Sequence, residues 1–413
     1  METLRFAWIL SDGEVGKFRR ASYYEVKLKA YWILLNDSII CRRDKGLREL
    51  ISHRRTRSVG AKVTLSFSKG TVFWGALMLA LSMSNYRLCA GENSLLTVSQ
   101  PHMGTIVRIV ADCDDAGHFR KATDEAFARI REIEQICSDY RSDSEVLQLS
   151  AKSPTETPIL VSDDLWNVLA EAQKVNRASN GAFDITVGPL TKEWRRFRRR
   201  GQLDSERIEA MQGSVGAQHL TLDENAQAVS LAVSNMRIDL GGIAKGYAID
   251  AALEILTSHD IPRALVDAGG DVAVTGAPRG EAGWRVGLAG LDPKQPPIMI
   301  AYISQCAVAT SGDAFQFLEH DGKRYSHILD PRTGYGVEHR ATVTVFAKSA
   351  TEADAWASAI SVLGPQETPN VLKQQPGIAA WIEVLVDEKP ISWASTNLGS
   401  WLSEHSQKQS ADN

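Results

Sequence analysis

From about Leu96 onward the chain alternates short β-rich runs with amphipathic stretches, and neither an internal repeat nor a low-complexity linker interrupts the alternation. That pattern predicts one compact α+β unit over 96–400, with mixed sheets and flanking helices, followed by a polar tail at 401–413. Thr105-Ile106-Val107-Arg108-Ile109-Val110 reads as a strand. Asp115 to Ile136 reads as a helix, with Phe119, Ala122, Ala126, Ile130, Ile133 and Ile136 at helical spacing. A second helix, Asp163 to Ser179, stops at Asn180-Gly181, and a third, Ile243 to Ser258, is closed by Pro262. Strands are predicted at Ala264 to Thr275, Trp284 to Leu288, Met299 to Ala309 and Ala341 to Ala347. A last helix, Glu352 to Leu363, precedes a hairpin over Ala379 to Ser395.

Composition narrows the function classes. Apolar residues make up 44% of the 413 and charged ones 23%, which excludes disordered and fibrous chains. Residues 1–70 carry 15 Lys/Arg against 7 Asp/Glu, whereas the remainder carries 31 against 43. A body with that acidic balance lacks the clustered basic face a nucleic-acid binder needs, so no nucleic-acid partner is expected. Five scattered cysteines without a C-x-x-C pair indicate neither a disulfide scaffold nor a zinc site.

Ahead of the body, Lys69-Gly70 precedes Thr71 to Met83, thirteen residues without a charge, and then a polar stretch ending in Leu88-Cys89-Ala90-Gly91. The apolar run suits a signal h-region and is short of the ~20 residues that span a bilayer as a helix. Residues 71–95 therefore read as a signal peptide or membrane anchor. Export to the periplasmic side of the inner membrane is expected, by cleavage, lipidation at Cys89 or retention of the apolar run. The basic head at 1–70 reads as an overcalled start, initiation near Val59, Val63 or Leu65 giving an ordinary signal peptide; a small cytoplasmic head is the alternative.

Four runs carry candidate chemistry. Ile238-Asp239-Leu240-Gly241-Gly242-Ile243-Ala244-Lys245-Gly246-Tyr247 is a strand end, a glycine turn and a helix start; it suits a phosphate as well as it suits an ordinary tight turn. Ala264-Leu265-Val266-Asp267-Ala268-Gly269-Gly270-Asp271 sets two carboxylates around a glycine pair, which by itself is a turn. Ser326-His327-Ile328-Leu329-Asp330-Pro331 holds a histidine before a Pro-fixed turn, either a proton-transfer group or a loop hydrogen bond. Asp354 and Ser358, four apart on the last helix, offer oxygen ligands to Mg²⁺, although Thr351-x-x-Asp354 also fits a helix capping box. The run Arg195-Arg196-Phe197-Arg198-Arg199-Arg200 reads as a solvated cationic face, or as a guide for an acidic protein partner or anionic lipid.

Taken in order, these runs resemble the FAD:protein FMN transferase family (ApbE). The resemblance covers about Ser99 to Leu363 and rests on Met103-Gly104-Thr105, Ser138-x-Tyr140-x-x-x-Ser144-Glu145, Gly181-Ala182-Phe183-Asp184-x-Thr186-x-Gly188-Pro189-Leu190 and Asp239-Leu240-Gly241-Gly242-Ile243-Ala244-Lys245-Gly246. Thr310-Ser311-Gly312-Asp313, Ser326-His327-Ile328-x-Asp330-Pro331-x-Thr333-Gly334 and Ala353-Asp354-Ala355 complete it. It implies the flavin transferase fold and an exported, Mg²⁺-dependent enzyme. Such an enzyme attaches FMN from FAD to a Thr or Ser hydroxyl of an acceptor protein with a Ser/Thr-Gly-Ala-Thr/Ser-like site, releasing AMP. By position, Met103, Tyr140, Ala182, Phe183, Asp184, Asp239, Lys245 and Ile328 would contact FAD. Asp354, Ser358 and the Gly242 carbonyl would bind Mg²⁺; the family usually has Ala or Thr at 242 and Thr at 358, and both departures keep an oxygen donor. His327 is the candidate general base toward the acceptor hydroxyl. An FAD pyrophosphatase and a non-catalytic periplasmic flavin carrier are the alternatives, the base candidate and metal ligands counting against the carrier.

Overall fold

Alternating apolar residues build a sheet that is buried on both faces. In a computed structural model, residues 95–403 are described except 202, 293, 313–316 and 321. The first half of the body runs β1 (Leu95–His102), β2 (Thr105–Asp112), α1 (Ala116–Cys137), α2 (Glu145–Ser150), β3 (Ile159–Leu160), α3 (Asp163–Ala178), α4 (Gly188–Arg200), α5 (Ser205–Gln212), β4 (Leu220–Asp223) and β5 (Ala228–Leu231). Then follow α6 (Ala244–Ser258), β6 (Ala264–Ala268), β7 (Asp271–Val274), β8 (Trp284–Leu288), β9 (Met299–Ile303), β10 (Cys306–Gly312), β11 (Phe317–His320) and β12 (Lys323–Ser326). The chain closes with β13 (Ala341–Ala347), α7 (Ala350–Leu372), β14 (Ala379–Val386), β15 (Lys389–Ala394) and α8 (Leu398–Ser403). Eight strands pair antiparallel in the order β1-β2-β6-β7-β10-β13-β14-β15.

Side chains alternate across the pleat. Val107 and Ile109, Val266, Ala307 and Ala309, and Val343 and Val345 meet Phe119, Phe127, Ile130 and Ile133 of α1, Ala248, Ile249 and Ala252 of α6, and Ala353, Ala357 and Ile360 of α7. Val110, Leu265, Val272, Val308 and Phe346 face the other way, under Trp284, Val286, Ala301, Ile303 and Leu398 of β8, β9 and α8. A third cluster packs Leu190, Trp194 and Phe197 of α4 with Ile208, Tyr325 and Leu329. The Trp194 indole donates to Gly334 O at 2.9 Å, which ties α4 to the loop carrying His327.

Several expectations change in detail. Ala264 to Thr275 is not one strand but the hairpin β6–β7, turned at Gly269-Gly270, where both φ angles are positive. Met299 to Ala309 divides at Ser304-Gln305, leaving β9 with β8 and β10 in the large sheet. The last helix starts at Ala350 and runs past Leu363, broken at Gly364 (φ 65°) ahead of Pro365. Trp401 and Leu402 of the expected polar tail end α8 and pack beneath the sheet, because an amphipathic turn covers Phe346. Cys113, Cys137 and Cys306 are unpaired. The basic head, the apolar run with Cys89, Asp313 and residues 404–413 lie outside the described residues.

Trp284 is 1% exposed and its indole donates to Gly276 O at 2.9 Å. Trp284→Ala is therefore expected to lower the unfolding free energy by about 3–5 kcal/mol in a urea titration, Trp284→Phe by about 1 kcal/mol. A loss well below 1 kcal/mol for Trp284→Ala would mean that β8 and β9 lie outside the cooperative core.

Candidate active site

The site is built where the N-termini of α6 and α7 meet. A Cβ at Gly246 would lie 2.2 Å from Ala350 O, so only glycine allows this approach of the two helices. The contact is closed from both sides. Asp250 of α6 accepts Ala350 N–H and Thr351 N–H of α7, each at 2.8 Å, and the Thr351 hydroxyl as well. In return, Asp354 of α7 accepts Gly246 N–H of α6 at 3.2 Å.

Asp354 is therefore not the cap of its own helix. Ser349 is the N-cap, its hydroxyl accepting Glu352 N–H at 3.2 Å, and Asp250 satisfies the next amides. The capping-box reading of Thr351-x-x-Asp354 fails, and the Asp354 carboxylate is left facing inward. Its other oxygen accepts from Lys245 Nζ at 3.1 Å, and Lys245 also pairs with Asp271 at the start of β7. Asp271 in turn accepts Thr310 N–H from β10 at 3.3 Å. Burial pushes the Asp354 carboxyl up to about 6, with nearby Asp271 adding to the shift and Lys245 opposing it. Burial works against the Lys245 charge, but Asp271 and Asp354 outweigh it and hold the ammonium above the ordinary lysine range.

One turn along α7, Ser358 Oγ faces the glycine turn: a Cβ at Gly242 would lie 2.8 Å from it and 3.2 Å from the Phe183 ring. The Ser358 hydroxyl makes no hydrogen bond among the described residues, which leaves its oxygen available. No group of three His, Cys, Asp or Glu gathers among the described residues. One carboxylate with a hydroxyl and a carbonyl nevertheless suits Mg²⁺, which takes hard oxygen donors and completes its shell with water and substrate phosphates.

Two further groups border this centre. Asp239 accepts Gly241 N–H at 2.9 Å, shaping the glycine turn, and lies 3.4 Å from the Arg195 guanidinium. Arg195 also pairs with Asp139, and its guanidinium carbon sits 4.2 Å from the centroid of the Tyr140 ring. Burial and the neighbouring Asp239 push the Asp139 carboxyl up, against the pull of Arg195. Sequence reading missed Arg195, taking its basic run as solvated; its position beside Trp194, on the flank of the apolar stripe, was the available signal.

The Asp184 side chain is engaged by donors of the protein itself. One oxygen accepts the Thr186 amide and hydroxyl and the other accepts Ala217 N–H at 3.0 Å, so the carboxylate pins its own loop. Ala182 and Phe183 are buried beside it. Met103 (φ 50°) caps the β1–β2 turn, and Thr105 of that turn lies against Gly269. Ile328 is half-buried against the helix-side core. His327 is exposed on the bend after β12 and is not among the contacts joining Lys245, Asp271 and Asp354.

A half-buried ammonium between two buried carboxylates, with a hydroxyl and a glycine turn beside it, is an arrangement suited to phosphate esters. The chain belongs to the ApbE family, whose model matches residues 103–382. It is 29% identical over 331 residues to the FAD:protein FMN transferase of Haemophilus influenzae, covering 78% of this chain and 94% of that one. It is 31% identical to that of Treponema pallidum, covering 75% and 90%. Among solved structures, the flavin transferase ApbE of Vibrio cholerae superposes with a TM-score of 0.66 at 29% identity, covering 75% of this chain and 99% of that one. The apo flavinyl transferase ApbE of Pseudomonas stutzeri gives 0.68 at 28% identity, covering 76% and 99%. The α+β fold is thus that of the flavin transferases.

Asp250→Ala would leave the Ala350 and Thr351 amides without acceptors, and a loss of about 1–3 kcal/mol in chemical denaturation is expected. Unchanged stability would show that water replaces the carboxylate there.

Proposed function

We propose that this chain cleaves FAD and attaches FMN through a phosphoester to a Ser or Thr hydroxyl of an acceptor protein, releasing AMP. The observation that carries this reading is Lys245 held between Asp271 and Asp354, with Ser358 and Gly242 alongside, in an ApbE-family chain whose relatives are named FAD:protein FMN transferases. In the transfer, the acceptor oxygen bonds to the FMN phosphorus, the bond from that phosphorus to the AMP oxygen breaks, and the acceptor proton passes to a base. Such a reaction needs charge neutralisation on the phosphoryl oxygens more than covalent help.

Asp354, Ser358 and the Gly242 carbonyl would hold Mg²⁺, which when bound supplies positive charge to the phosphoryl oxygens. Lys245 adds a fixed positive charge beside them. His327, exposed and able to meet an incoming protein, takes the acceptor proton. Tyr140, Phe183, Ala182, Met103 and Ile328 wall the flavin nucleotide; Asp239 shapes the glycine turn and Asp184 holds the loop that carries Phe183. Thr71 to Met83, charge-free behind a basic stretch, supports export and an acceptor on the periplasmic side of the inner membrane.

Mass spectrometry of the protein incubated with FAD, Mg²⁺ and an acceptor carrying the Ser/Thr-Gly-Ala-Thr/Ser pattern tests the reading. A covalent FMN increment on the acceptor, lost on adding chelator, is expected. FMN and AMP released beside unmodified acceptors, across several acceptor sequences, would make the chain a pyrophosphatase instead. His327→Ala should cut transfer by about 10²–10⁴ while FAD still binds; a parallel loss of FAD binding would assign His327 to structure. Asp354→Ala should abolish the response to Mg²⁺, and an unaltered Mg²⁺ titration would remove Asp354 from the metal site.

A further inference from the structure

The chemistry above leaves Arg195 without a part, although its side chain joins three residues of the site. Its guanidinium bonds Asp139, lies 3.4 Å from Asp239 and covers one face of the Tyr140 ring at 4.2 Å. The two carboxylates are anchored firmly: their side chains are only 6% and 8% exposed. Asp139 O also accepts from Arg237 at 2.6 Å, and Asp239 is fixed by Gly241 N–H and by its own amide donating to Ile185 O at 2.7 Å.

Tyr140 is the reverse. It is 75% exposed, and its hydroxyl has no hydrogen-bond partner among the described residues. An aromatic side chain in that position exchanges rotamers unless something holds the ring, and here the guanidinium does. Only arginine suits the task, because a planar fork reaches two carboxylates while its face stacks on a ring; a lysine ammonium does one or the other.

We propose that Arg195 is a positioning residue which, anchored by Asp139 and Asp239, fixes the Tyr140 ring as a platform with its open face stacked on an aromatic ring of FAD. The inference rests on the reading that Tyr140 contacts FAD. It adds a cationic backing that no local motif carries: residues 139–140, 195 and 239 come from a loop, from α4 and from the connection between β5 and α6.

Equilibrium FAD binding, followed by flavin fluorescence, tests the proposal independently of transfer. For Arg195→Lys the Kd for FAD is expected to rise about tenfold, with flavin quenching weakened and kcat at saturating FAD retained. In a Tyr140→Ala background the same substitution should change Kd by less than about twofold, because the ring it positions is gone. An equal loss in both backgrounds, or no change in Kd for Arg195→Lys, overturns the proposal. FAD binding unaffected by Tyr140→Ala overturns it too and removes Tyr140 from the flavin site, whereas the acceptor mass increment reports on transferase activity separately. Should Arg195→Lys fail to fold, Asp139→Asn carries the same test, since it frees the guanidinium from one anchor and must raise Kd only while Tyr140 is present.

Discussion

The rest of the site depends on the reciprocal capping of two helix N-termini. α6 lends Asp250 to the first amides of α7, and α7 lends Asp354 to the first turn of α6, across a gap that Gly246 keeps clear of side chain. Each helix start carries a partial positive charge, so bringing two together is unfavourable unless carboxylates intervene. Here two do so, and the same two interactions fix where Lys245 and Ser358 stand. The stability of the helix pair and the geometry of the centre are consequently one property.

That arrangement also sets the charge of the centre. Asp271, Asp354 and Lys245 carry two negative charges against one positive in a largely buried volume. A divalent cation bound by Asp354 and Ser358 would turn that balance positive, which is what a pyrophosphate requires of its surroundings. That balance is consistent with the proposed metal site, and the buried Phe183 ring borders it at the glycine turn.

Elements whose signals are local were legible in the sequence. α1, α3 and α6 begin and end within a residue or two of the expected bounds, because Asp115 and Ser162 cap the first two and Asn180-Gly181 closes α3. α4 was not legible. Its arginines mask Leu190, Trp194 and Phe197, which are spaced on one face and buried against Tyr325 and Leu329, contacts more than a hundred residues distant. Of the centre, Lys245, Gly242, Asp354 and Ser358 stood in recognisable runs and do converge. Asp271 stood in a candidate run that reads first as a turn, and Asp250 in none, since each acquires its meaning from a partner on another element: Lys245 for one, the amides of α7 for the other.

The Asp354 cap illustrates why local patterns need tertiary arbitration. Thr351-x-x-Asp354 and Ser349-x-x-Glu352 both have capping-box spacing, and nothing in the run itself ranks them. The choice is made elsewhere, by Asp250, which binds the Thr351 hydroxyl and both neighbouring amides and so removes Thr351 from any cap. Ser349 is then the remaining hydroxyl at the helix start, and Asp354, relieved of capping, turns toward Lys245. A single carboxylate on α6 thereby leaves a carboxylate on α7 free of its own helix cap and paired with Lys245.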